Sequence, residues 1–124
     1  MAIFLLVMAL LGSPAQAGQT VTKAKFMEVM KTALPSAFCK DKMYFRQCFK
    51  ITEDECIQEA LRDTKICLTS EAGKLPDILN QPQDGQKYGR EIGSCAGATF
   101  STTLGGKKID SPLCNDPKKW QGTH

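Results

Sequence analysis

Six cysteines, at positions 39, 48, 56, 67, 95 and 114, are the residues whose type and spacing point most directly to chemistry. Three kinds of chemistry compete for them: metal ligation, redox exchange and structural disulfides. The intervals between successive cysteines are 8, 7, 10, 27 and 18 residues. Zinc sites use closely spaced Cys or His pairs, and a redox-active pair sits in C-x-x-C; neither spacing occurs, nor does the C-x-x-C-H of haem attachment. No metal and no cofactor is therefore expected. An even number of cysteines in an exported chain reads as three disulfides, involving Cys39, Cys48, Cys56, Cys67, Cys95 and Cys114.

Export is read from residues 1–17, MAIFLLVMALLGSPAQA. An apolar run from Ala2 to Leu11 is broken by Ser13-Pro14. Ala15-Gln16-Ala17 then forms a small-x-small cleavage site, so the mature chain starts at Gly18. The segment departs from the usual signal peptide in lacking Lys or Arg before the apolar run. That run is shorter than the ~20 residues of a membrane span, so no transmembrane segment is expected after signal removal. Residues 18–124 are read as one small domain, periplasmic or secreted.

Other catalytic sets are thin. The only histidine is the last residue, His124, which leaves Ser/His and Cys/His nucleophile arrangements without a base. Glu53, Asp54, Glu55, Glu59 and Asp63 offer carboxylate pairs of the kind hydrolases use, but carboxylates at a helix start ordinarily act as caps. Lys40, Lys42, Tyr44, Phe45, Arg46, Phe49 and Lys50 superficially resemble a nucleic-acid surface. Phe45 and Phe49 fit a core better, and an exported chain does not meet nucleic acid. Net charge is +3, with seven basic and two acidic groups over residues 23–50, and five basic and nine acidic over 51–91.

The elements that position these residues centre on Cys39 to Leu68, which reads as two antiparallel helices. Thr52 with Glu55 three residues later forms a capping box, and Ile51 and Cys56 occupy the staple positions. Glu53, Asp54 and Glu55 place negative charge at the positive end of the helix dipole. The helix carries Cys56, Ile57, Ala60, Leu61, Cys67 and Leu68 on one face, with Gly73 as its predicted C-cap. Phe45, Cys48 and Phe49 predict a helical first arm, capped by Asp41. Cys56 and Cys67 share a face about 16 Å apart, too far to bond to each other.

Cysteine pairs at equal height on the two arms favour Cys39–Cys67 and Cys48–Cys56 among fifteen connectivities, leaving Cys95–Cys114. The arrangement resembles, in architecture alone, the twin-cysteine helical hairpins of the CHCH type. Those have nine residues between the cysteines of each arm, where this chain has eight and ten. Lys42, Arg46 and Lys50 form a basic stripe at four-residue spacing, and it is the candidate binding surface. A salt-bridge ladder to Glu55, Glu59 and Asp63 is not expected, because the two stripes lie on opposite flanks.

Around the hairpin, Thr22 to Leu34 predicts an amphipathic helix ended by Pro35. Its Met27 and Met30 are read as core. Residues 73–87 predict a connector in which Leu75, Ile78 and Leu79 pin a loop to the core. Residues 88–104 predict a helix through Tyr88, Ile92, Cys95, Ala96 and Phe100, with a strand from Ala98 to Leu104 as the alternative. Gly85, Gly89, Gly93, Gly97, Ser101 and Gly105 line a neighbouring face, predicted to meet the hairpin or another subunit. The tail is turn-rich, and Trp120 is expected to pack over the domain.

The fold class is thus mostly all-α, a small disulfide-stapled helical domain of three to five helices. The function expected is non-enzymatic binding of another protein or an envelope component. An inhibitor or immunity-type protein for a secreted enzyme is the alternative, and a carboxylate-using hydrolase the third reading.

Overall fold

The computed structural model describes residues 18–120. The proposed signal segment, residues 1–17, and His124 lie outside the described residues. Five α-helices and a two-stranded sheet appear in the order β1 (Thr20–Thr22), α1 (Lys23–Phe38), α2 (Tyr44–Gln47), α3 (Glu53–Glu71), β2 (Ile78–Asn80), α4 (Gln83–Thr103) and α5 (Pro117–Trp120). The expectation of a small, mostly helical, disulfide-stapled domain holds.

Helix α1 starts where Thr22 accepts a hydrogen bond from Lys25 N–H at 3.1 Å. It does not stop at Pro35: the proline lies inside it, buried, one turn from the end. Proline removes a single backbone bond and normally costs about 3 kcal/mol inside a helix. Here the last turn is held by Phe38, buried in the core, and by Cys39 N–H donating to the Pro35 carbonyl at 3.0 Å.

Helix α3 begins as its capping signal predicts. Glu55 N–H donates to Thr52 Oγ1 at 3.2 Å, and the Thr52 hydroxyl donates to the Glu55 carboxylate at 3.1 Å. Its C-terminus departs from expectation: the chain passes into a 3-10 turn over Ala72–Lys74. Among the described residues Gly18 alone has positive φ, so Gly73 is not a left-handed cap.

The predicted first arm of the hairpin is not a long helix. Helix α2 is a single turn, and the chain after it is extended enough for Phe49 to form an antiparallel bridge with Lys108. Its N-cap is Met43, without a side-chain cap. Asp41 pairs instead with Arg46 at 3.1 Å. Helix α3 packs instead along α1 and α4.

This change redirects every disulfide. The bonds are Cys39–Cys56, Cys48–Cys114 and Cys67–Cys95, with Cα separations of 5.8, 5.4 and 5.8 Å. The expected pairs Cys39–Cys67, Cys48–Cys56 and Cys95–Cys114 are not formed, and the CHCH-type likeness fails with them. Cys39 follows the end of α1 and meets the start of α3. Cys67, about 16 Å further along α3, meets α4 instead. Cys48 lies on the extended segment and faces the tail strung beside it.

Helix α4 confirms the four-residue periodicity. Ile92, Ala96 and Phe100 are buried along it. Phe100 stacks into an aromatic core at 4.5 Å from Phe45 and 6.1 Å from Phe38, ring centre to ring centre. A second apolar cluster gathers Phe26, Leu68, Leu75, Leu79 and Ile92, with Met27 and Met30 packed against it. The connector is more ordered than its composition suggests. Val21 pairs with Leu79 in the small antiparallel sheet, which buries Leu79 and leaves Ile78 exposed. Trp120 lies 5.5 Å from the Tyr44 ring, and its Nε1 donates to the Leu113 carbonyl at 3.0 Å.

Candidate functional site

The basic stripe predicted as a binding surface does not assemble. Helix α2 spans only Tyr44–Gln47, so Lys42 precedes it and Lys50 follows it. Arg46 turns inward: its side chain is 18 % exposed, and Nη1 donates to the Cys39 carbonyl and pairs with Asp41, each at 3.1 Å. Among the described residues no ion pair joins Lys42, Arg46 or Lys50 to Glu55, Glu59 or Asp63.

The carboxylates of α3 are spread along the helix and several are already engaged. Glu55 caps the helix and pairs with Lys107 at 3.3 Å, and Glu59 pairs with Arg62. Asp63 is buried, with a side chain 3 % exposed, and accepts a 2.7 Å hydrogen bond from Thr103 Oγ1 across the α3–α4 interface. That bond makes Asp63 a clamp between two helices. Among the described residues no group of three or more His, Cys, Asp or Glu could hold a metal ion.

The feature that could hold a ligand lies on the other side of α4. Helices α1 and α4 run side by side, with Met30, Leu34 and Phe38 facing Gly89, Gly93 and Gly97. A Cβ on each glycine would stand 3.9, 3.6 and 3.8 Å from those side chains respectively. These are ordinary van der Waals distances, so packing alone does not demand glycine there. Each glycine nonetheless costs a helix about 1 kcal/mol relative to alanine. Beside this helix contact lies a groove of about 560 Å³, bounded by Leu34 and Phe38 of α1, Tyr44 and Phe45 of α2, and Gly89, Gly93 and Gly97 of α4. That volume lies within the ~300–1,000 Å³ of small-molecule sites.

The floor is rigid for reasons traceable to sequence. Phe38 and Phe45 belong to the aromatic core, and Tyr44 packs edge-on against Phe45 at 5.3 Å and at a tilt against Trp120 at 5.5 Å. The Cys39–Cys56 and Cys67–Cys95 bonds tie the end of α1 and the middle of α4 to the same helix, α3. The two walls therefore cannot drift apart independently. Arg90 and Ser94 form the rim, and they also border a polar cleft of about 690 Å³ with Glu71, Lys74, Lys87 and Glu91. Lys74 pairs with Glu71 at 3.4 Å, and Lys87 Nζ stands 5.0 Å from the Tyr88 ring centre. Among the described residues Arg90 has no ion-pair partner.

The four-residue glycine repeat is legible in the sequence as a face for close helix contact. The face does meet a helix, α1 rather than the hairpin. Leu34, Tyr44 and Arg90 as groove residues were not anticipated. The available signal was the excess of glycine on one face of a helix whose neighbouring face, Ile92, Ala96 and Phe100, is ordinary core.

Comparison with known proteins places residues 20–108 in the family described as "T2SS substrate NttA", substrates of type II secretion. The chain belongs to the NttA family. The match covers most of the chain and includes five cysteines; Cys114, the partner of Cys48, lies beyond it. Membership supports secretion. No curated protein and no solved structure matches the chain. Among the described residues no helix is long and apolar enough to cross a membrane.

Proposed function

We propose that this NttA-family chain is a secreted, non-enzymatic binding protein that works outside the cell, and that its binding site is the groove between α1 and α4. The observation that carries the reading is the groove itself. An apolar, glycine-walled channel is framed by two disulfide-anchored helices, at a helix-propensity cost of about 1 kcal/mol per glycine. An oxidising route of export is consistent with all six cysteines being paired. The reading replaces the basic stripe as the favoured surface, because Arg46 is committed to Cys39 and Asp41.

A preformed pocket whose lining is mainly hydrophobic and aromatic suits a small apolar or amphiphilic molecule. The test is an amide-resolved NMR titration of the oxidised, exported chain with decanol. Shifts are expected to cluster at Ala37, Phe38, Gly93, Ser94 and Gly97. Gly93→Leu, which puts a side chain into the channel, is expected to abolish them while leaving the remaining spectrum folded. Shifts distributed evenly over the surface, or none, would refute the groove as a site.

A further inference from the structure

The groove does not end in solvent alone. Arg90 and Ser94 belong both to its rim and to the adjoining polar cleft, so an apolar channel opens onto a charged mouth. The mouth carries three cations, Lys74, Lys87 and Arg90, against two carboxylates, Glu71 and Glu91. Lys74 is neutralised by Glu71, while Arg90 has no ion-pair partner among the described residues. The balance is one positive charge, which matches a monoanion. From Gly89 to Gly97, the glycines that line the channel, the helix rises about 12 Å. That length suits an extended aliphatic chain of medium length.

We propose that the occupant is a single-chain aliphatic carboxylate of medium length. Its chain lies along the glycine face between Leu34 and Phe38, and its carboxylate sits on the Arg90 guanidinium with Ser94 beside it. This rests on the groove reading above and adds the ligand's class. A planar guanidinium receives a carboxylate through two parallel hydrogen bonds, and burial of the methylene chain supplies the remaining affinity.

Trp120 touches Tyr44, a wall of the groove, so intrinsic fluorescence of the oxidised chain reports occupancy. Decanoate and decanol are titrated into the wild type and into Arg90→Gln, an exposed substitution that leaves the core untouched. Decanoate is expected to bind the wild type roughly tenfold more tightly than decanol, the scale of one charge-assisted hydrogen bond. Arg90→Gln is expected to erase that difference, chiefly by weakening decanoate binding. Equal binding of the two ligands by the wild type, or a preference that survives in Arg90→Gln, overturns the carboxylate proposal and leaves the groove standing. Failure of both ligands to bind the wild type overturns the groove as well.

Discussion

Thr52 and Thr103 each place one hydroxyl where a helix depends on it. Thr52 Oγ1 accepts from Glu55 N–H at the start of α3, and the residue was identifiable from its T-x-x-E spacing because capping is local chemistry. Thr52→Ala is expected to lower stability by about 1 kcal/mol in urea unfolding. Thr103 was not identifiable in this way. Its partner Asp63 is forty residues distant, and only the packing of α4 on α3 brings the carboxylate and hydroxyl to 2.7 Å. Replacing the hydroxyl leaves a buried carboxylate short of a donor, with Arg62 Nε at 3.9 Å as its nearest cation. Thr103→Val is therefore expected to lose about 1–3 kcal/mol, more than Thr52→Ala. A Thr103→Val variant as stable as wild type would show that Asp63 is not the clamp described.

At the scale of elements, α3 and α4 could be read from the chain and α2 could not. Both long helices carry an apolar repeat over several turns: Cys56, Ala60, Cys67 and Leu68 in one, Ile92, Ala96 and Phe100 in the other. In the first arm, Phe45, Cys48 and Phe49 have helical spacing and all are buried, yet only one helical turn forms. Residues so few satisfy burial equally well on a short turn followed by an extended strand. The bridge from Phe49 to Lys108, with Ile109 N–H donating to the Cys48 carbonyl at 2.8 Å, supplies the backbone bonds that a helix would have given.

Helix α4 also gives a test of why its glycines are there. The contact distances leave room for a methyl group at Gly97, 3.8 Å from Phe38 Cζ. Gly97→Ala is expected to raise stability by up to about 1 kcal/mol while weakening decanol binding. A loss of stability would show that close helix approach, not the open channel, requires glycine.

Across the whole molecule, the three disulfides join different pairs of elements: the end of α1 to α3, α3 to α4, and the segment after α2 to the tail. The participation of all six cysteines follows from composition and export. Their pairing does not, because it depends on which elements pass beside α3, and the misplaced first arm carried every predicted pair with it. Sequence separations of 17, 28 and 66 residues set an order of stabilisation by chain entropy. Removing Cys48–Cys114 as a double serine variant is expected to cost about 1 kcal/mol more than removing Cys39–Cys56. Thermal unfolding of the two double variants measures it, and a reversed order would show that native packing rather than loop length governs their contribution.

Everything proposed for the groove requires a ligand's apolar chain to lie between α1 and α4. A nitroxide-labelled alkyl probe bound to the oxidised chain tests it most directly, through distance-dependent broadening of amide NMR signals. Broadening is expected to be strongest at Gly93 and Gly97 and to fade towards the sheet of Thr20–Thr22 and Ile78–Asn80. Broadening centred instead on the exposed apolar residues Val29, Ile66, Ile78 or Leu113 would contradict it.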